Sequence, residues 1–116
     1  MPQATTLGAP GQAATFSYKG NVLEGVLIEY EYANVSIDYE FFQLILSVFR
    51  GQQVYGGFSE TNPTQGGLGE WIRDNSYLNS QPLTPRHVSR IAAILVAEKY
   101  ATSEREGNAV LIKFKS

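Results

Sequence analysis

The stretch AILVAEKYATSEREGNAVLIKF, residues 93–114, holds both structural periods of this chain and the switch between them. Its first part continues a helical pattern that begins at Leu83. Val88, Ile91, Ala92, Leu95 and Val96 recur at three- and four-residue spacing, which places them on one helix face. Its last part alternates, with Val110, Ile112 and Phe114 on one side and Lys113 and Lys115 on the other, as in a half-buried strand. Between these parts ATSERE supplies a polar strand and Gly107-Asn108 a two-residue hairpin turn. Upstream, Thr84 is a suitable N-cap and Pro85 fits the first helical position, where no N–H is needed. A helix over residues 84–100 running into a β-hairpin is therefore expected. Arg86, Ser89, Arg90, Ala93 and Ala97 fall on its more exposed side.

Working back toward the N-terminus, SYLNSQP is turn chemistry, with Leu78 expected to tuck beneath it. Leu68, Trp71 and Ile72 predict a short helix over residues 68–75, with Trp71 as its core anchor. The segment QQVYGGFSETNPTQGG reads as a long loop with a short strand at Val54-Tyr55. Five glycines between Gly56 and Gly69 would let backbone approach a ligand, but GGLGEW has an acid where a phosphate-binding loop needs lysine. Asp38 suits an N-cap, Glu40 the first helical turn, and Ile37 with Phe42 a hydrophobic staple. Phe41, Phe42, Leu44, Ile45, Val48 and Phe49 form a stripe broad enough to predict a largely buried helix, which Gly51 ends in a left-handed conformation.

Before it, Phe16 and Tyr18 alternate with polar residues and Gly20-Asn21 predicts a two-residue turn. On the returning arm Val26, Ile28, Tyr30 and Tyr32 share one face, and Leu27, Glu29 and Glu31 the other. Gly25 within that arm signals a bulge or a close backbone approach. Residues 1–14 lack periodicity and read as a flexible tail, leaving residues 15–116 as one domain.

Composition narrows the function classes. A chain of 116 residues can bury roughly two-thirds of its unfolded surface. No apolar run approaches the roughly 20 residues of a membrane span and the N-terminus lacks a signal-peptide pattern, so a cytoplasmic protein without membrane association is expected. The absence of cysteine excludes thiolate nucleophiles and disulfides. A single histidine, His87, and the lack of a G-x-S-x-G elbow speak against zinc and serine chemistry, so neither enzymatic activity nor a cofactor is expected. Strand alternation and helix capping account for Glu29, Glu31, Asp38 and Glu40 without a carboxylate site. Charge divides along the chain. Residues 1–80 carry three basic and eight acidic side chains, and residues 81–116 carry six basic and three acidic ones. The basic part suits an anionic partner.

The order helix, loop with a short strand, short helix, turn, long helix and basic hairpin, over about residues 38–114, resembles the winged helix-turn-helix superfamily. The resemblance implies an α+β fold: a three-helix winged-helix-like core over residues 38–116 with a C-terminal β-hairpin wing, to which residues 15–37 add an extra N-terminal β-hairpin. It also implies duplex DNA as partner. Arg86, His87, Ser89 and Arg90 would reach base edges from the third helix, and Arg105, Lys113 and Lys115 would contact phosphates from the wing. Two departures keep a second reading open: residues 76–83 exceed the usual turn, and Glu104 and Glu106 flank Arg105 at the wing tip. In that second reading the chain is a protein-interaction or dimerisation module, with Tyr30, Glu31, Tyr32 and Tyr39 in the contact.

Overall fold

The computed structural model describes residues 3–5, 15–30, 33–57, 65–83, 87–106 and 109–115. It is a mixed α+β fold with three α-helices and two small antiparallel sheets. The N-terminal sheet is a meander of β1 (Gln3–Thr5), β2 (Thr15–Asn21), β3 (Gly25–Glu29) and β4 (Asn34–Ile37). Helix α1 (Tyr39–Phe49) follows, then β5 (Gln53–Tyr55), α2 (Leu68–Asn75), a single 3-10 turn (Ser76–Leu78), α3 (Val88–Ala97), β6 (Ala101–Glu106) and β7 (Ala109–Phe114). The C-terminal sheet has the order β5-β7-β6.

The expected hairpin differs from the observed sheet in three ways. First, Gln3–Thr5, read as part of a tail, pairs with β2. Second, the connection between β2 and β3 is Val22–Glu24, not Gly20-Asn21. Val22 is 0% exposed, so the loop carries a core side chain that a two-residue turn would have left in solvent. Gly20 and Gly25 both adopt positive φ at this end, and a Cβ on Gly20 would collide with the Gly25 carbonyl. Third, the long returning arm breaks where the Tyr30 N–H donates to the Ala33 carbonyl at 2.9 Å, so its second part becomes β4. The alternation within β3 is as expected, with Val26 and Ile28 buried.

One apolar cluster spans the described residues. Phe41, Phe42 and Ile45 of α1, Ile72 of α2, Ile91, Ile94 and Leu95 of α3 and Ile112 and Phe114 of β7 meet in it with Ile28 and Ile37 of the N-terminal sheet. Trp71 is the anchor expected of it, with ring centroids 5.7 Å from Phe41 and 5.9 Å from Phe49. Two sequence expectations on exposure are corrected. Ala93 of α3 is buried, because the N-terminal sheet covers a side of the helix the sequence leaves polar. Leu78 is exposed, because the 3-10 turn projects it outward.

Helix termini show which local signals hold. Gly51 has φ 71, as a left-handed residue after α1. Asp38 occupies the N-cap of α1, but its side chain does not cap: the carboxylate accepts from the Ser80 N–H at 2.7 Å and the Ser80 hydroxyl at 2.8 Å. Helix α3 is shorter than expected, ending in a Schellman arrangement with the Tyr100 N–H donating to the Leu95 carbonyl and the Lys99 N–H to that of Val96. Lys99 takes the left-handed position there at φ 70. At its start His87 is the N-cap residue, and the expected cap and first turn at Thr84, Pro85 and Arg86 lie outside the described residues. The expected turn Gly107-Asn108 lies outside them as well, although Glu106 pairs with Ala109 across it.

Two polar ties hold the N-terminal sheet to the rest. At the β4 edge, the Asn79 side chain accepts from the Asp38 N–H and donates to the Ser36 and Gln81 carbonyls, each at 2.8 Å. The Gln81 side chain accepts from the Ser36 N–H at 2.9 Å and donates to the Asn34 carbonyl. Side chains thus stand in for a neighbouring strand along β4. At the other end, Glu98 at the C-cap of α3 accepts from the Tyr18 hydroxyl at 2.8 Å and the Val22 N–H at 2.9 Å. Burial, followed by the hydrogen bond to Glu98 and its charge, pushes the Tyr18 phenol well above its ordinary value. In the unfolded chain that phenol ionises near pH ~10, so the tie's contribution is complete below about pH 10 and is lost as pH rises further. The parent is therefore expected to lose up to about 1.4 kcal/mol more stability per pH unit above that point than Tyr18→Phe. Urea unfolding of both proteins across that range checks this, and parallel pH profiles would refute it.

Candidate functional site

The front of α3, expected to carry the base-reading side chains, is covered by the N-terminal sheet. The Arg90 guanidinium lies 4.0 Å from the centre of the Tyr30 ring and 5.3 Å from that of Phe16. His87 meets Tyr30 edge-on with ring centroids 5.6 Å apart. Ser89 is half-buried beside them. Val88, Ile91, Ala92, Ala93, Ile94 and Leu95 are all buried, so α3 is a core helix enclosed on most of its circumference. Arg90 is held by stacking on two aromatic faces, an arrangement its planar, weakly hydrated guanidinium favours. Arg90→Ala is accordingly expected to lower stability by about 1–2 kcal/mol through lost stacking and stem packing. Thermal unfolding checks it, and an unchanged midpoint would mark Arg90 as a solvated side chain instead. Arg86 lies outside the described residues.

The residues expected to contact phosphates from a wing, Arg105, Lys113 and Lys115, do not form a basic face on the β6-β7 hairpin. Cross-strand partners project to the same side of a sheet. Lys113 stands opposite Thr102, Leu111 opposite Glu104 and Ala109 opposite Glu106, so Lys113 shares the outward face with two acids. From the other edge Gln53 donates to the Glu104 carboxylate across this face. Arg105 is opposite Val110 on the core-side face, beyond the edge of the core, and Lys115 is exposed past the end of β7.

The tyrosines of the second reading separate. Tyr30 is half-buried under Arg90, whereas Tyr39 is exposed at the start of α1, and Glu31 and Tyr32 lie outside the described residues. Tyr39 forms one wall of an open groove of about 360 Å³ with Lys19, Glu24, Leu27 and Ser36.

The feature that sequence reasoning misplaced is the outer shoulder of α1. Leu44 and Val48, expected in the buried stripe, are 39% and 41% exposed. They lie one helical turn apart and continue a ridge from the exposed Glu40. A signal existed in the stripe itself: at 100° per residue the apolar positions from Leu44 round to Leu46 span about 200° of the helix, more than one core contact covers. Among the described residues no group of three or more His, Asp or Glu side chains could hold a metal ion. No described helix is long and apolar enough to cross a membrane.

No protein-family model, curated protein or solved structure matches the chain.

Proposed function

We propose that this chain is a non-enzymatic protein-interaction module on a winged-helix-like core. The sheet order β5-β7-β6 and the sequence α1, β5, α2, α3, β6, β7 support the winged-helix part of that reading. The observation that carries the interaction part is the exposed apolar ridge of Leu44 and Val48 on α1, set on a rigid helix whose opposite side is anchored by Phe41, Phe42, Ile45 and Phe49. The side expected to read duplex DNA is occupied by contacts within the chain, through Arg90 on Tyr30 and Phe16, and the outward wing face mixes Lys113 with Glu104 and Glu106.

The test is photo-cross-linking with p-benzoylphenylalanine placed at position 48 and, separately, at position 106 on the wing. A protein adduct is expected at position 48, lost when Leu44→Asp is added, and absent at position 106. No adduct at position 48 would overturn the reading. So would duplex binding that weakens steeply with salt and is abolished by Lys113→Ala with Lys115→Ala, since that is the behaviour of a phosphate-contacting wing.

A further inference from the structure

We infer that residues 79–81 form an autoinhibitory strap: they close a strand edge, β4, that is self-complementary and pairs antiparallel with β4 of a second copy when the strap lifts. The α1 ridge takes no part in this. Strand β4 is the last of its sheet, and its outward backbone groups are met by side chains alone. The Asp38 N–H donates to Asn79 Oδ1 and Asn79 Nδ2 donates to the Ser36 carbonyl, both at 2.8 Å. The Ser36 N–H donates to Gln81 Oε1 at 2.9 Å, and Gln81 Nε2 donates to the Asn34 carbonyl at 3.3 Å. A side-chain amide offers the same donor and acceptor as a peptide group, so Asn79 and Gln81 imitate two residues of an added strand. The Ser80 N–H and hydroxyl fasten the strap between them to the Asp38 carboxylate.

The pattern of the four groups names the occupant. A two-fold axis normal to the sheet at Ser36 sets Ser36 opposite the partner copy's Ser36, where the two exchange N–H and carbonyl. The same axis brings the Asp38 N–H of each copy to the Asn34 carbonyl of the other. The groups that the strap now satisfies are thus satisfied by the same groups of a second copy. Side chains agree with that register. Val35 falls opposite the partner copy's Ile37 on the buried face, a pair of β-branched residues, and Asn34 falls opposite its Asp38 on the outward face. A shift of one residue would turn the apolar pair outward, and a shift of two leaves the Asp38 N–H or the Asn34 carbonyl beyond the end of the partner strand.

Within one chain the strap wins. Pairing would cost each copy its bonds to Asn79 and Gln81 and those from Ser80, and would return bonds shared between two copies against the cost of association. Removing the two amides tips the balance toward pairing, because the edge groups are then bonded only to water. A strand of four residues buries far less than the roughly 1,200 Å² of a stable complex, so the opened dimer is reversible and is best read by covalent trapping.

The chain has no cysteine, so Ser36→Cys supplies a single thiol at the proposed axis. Residues facing each other as a hydrogen-bonded pair have Cα atoms about 5.5 Å apart, within the span of a disulfide. Lys19→Cys is the control: Lys19 lies in the same cross-strand row, two strands further in, and would stand roughly 24 Å from its counterpart. Copper-catalysed oxidation of the full chain is followed by non-reducing electrophoresis. With Asn79→Ala and Gln81→Ala added, the disulfide dimer through position 36 is expected to form about tenfold faster than with the strap intact, while position 19 stays slow in both backgrounds. Equal rates at position 36 with and without the strap would overturn the inference. So would equal rates at positions 36 and 19 once the strap is opened, the mark of unspecific association. If the doubly truncated chain shows no cooperative thermal unfolding, Gln81→Ala alone decides. It leaves the strap held by Asn79 and Ser80, and trapping at position 36 should then be about threefold faster than with the strap intact. No increase there would overturn the inference as well.

Discussion

Asn79→Ala is expected to be about 3 kcal/mol less stable than the parent protein, a large share of the ~5–15 kcal/mol that holds a domain of this kind folded. Asn79 is 6% exposed, the one polar residue among the described buried set, and its amide makes three hydrogen bonds at 2.8 Å. Truncation leaves the Asp38 N–H and the Ser36 carbonyl without partners in a site that admits little water, and each such orphan costs about 1–3 kcal/mol. Asn79→Asp should be no better. It keeps the acceptor for Asp38 N–H but turns the donor toward Ser36 and Gln81 into a second acceptor facing carbonyls, close to the Asp38 carboxylate. Urea unfolding at neutral pH measures both, and a loss below about 1 kcal/mol for Asn79→Ala would show that the β4 edge finds other partners.

Gly69→Ala is expected to destabilise by about 2–4 kcal/mol, opposite in sign to what helix propensity alone gives. In an exposed helix the change from glycine to alanine is favourable by about 1 kcal/mol. Gly69 lies in the first turn of α2, where the chain leaving β5 crosses it. Its N–H donates to the Gly56 carbonyl at 2.8 Å, and a Cβ would collide with the Gly57 carbonyl. To admit one methyl group, α2 must move off the β5 exit and lose that hydrogen bond, together with the seating of Trp71 between Phe41 and Phe49. A midpoint lowered by about 8–16 °C in thermal unfolding is the expected reading, and an equal or raised midpoint would refute the crossing as a constraint. Glycines that in the sequence invited a phosphate-binding interpretation thus have a packing role at the base of the loop.

Period and local capping carried much of the fold. Helix α2 matches its expected bounds, the C-terminal hairpin pairs as its alternation requires, and Gly51 ends α1 in the conformation its position suggested. What could not be read was anything decided by a partner distant in the chain. Asp38 looked like a side-chain cap because the competing claim on its carboxylate comes from Ser80, 42 residues away. Ala93 looked exposed because the sheet that covers α3 is built at the other end of the chain. The candidate site was misread for the same reason. Arg90 has the sequence context of a solvent-facing base reader, and nothing within its own helix announces that Tyr30 and Phe16 will receive it. Leu44 and Val48 erred in the other direction, since hydrophobic character alone does not say which edge of a broad stripe the core runs out of room to cover.

The tie at Glu98 also sets an order on biosynthesis. Its two donors, the Tyr18 hydroxyl and the Val22 N–H, are 80 and 76 residues upstream. A nascent chain therefore carries its N-terminal meander, with Val22 destined for complete burial, for as long as the ribosome takes to make and release everything up to the end of α3. At about 5–20 residues per second that interval lasts several seconds, and during it the Tyr18 hydroxyl and the Val22 N–H lack their Glu98 acceptor. The tie between the N-terminal sheet and α3 thus waits until residue 98 has been made, and a chain terminated before Glu98 holds every strand of that sheet without this fastening to the helix.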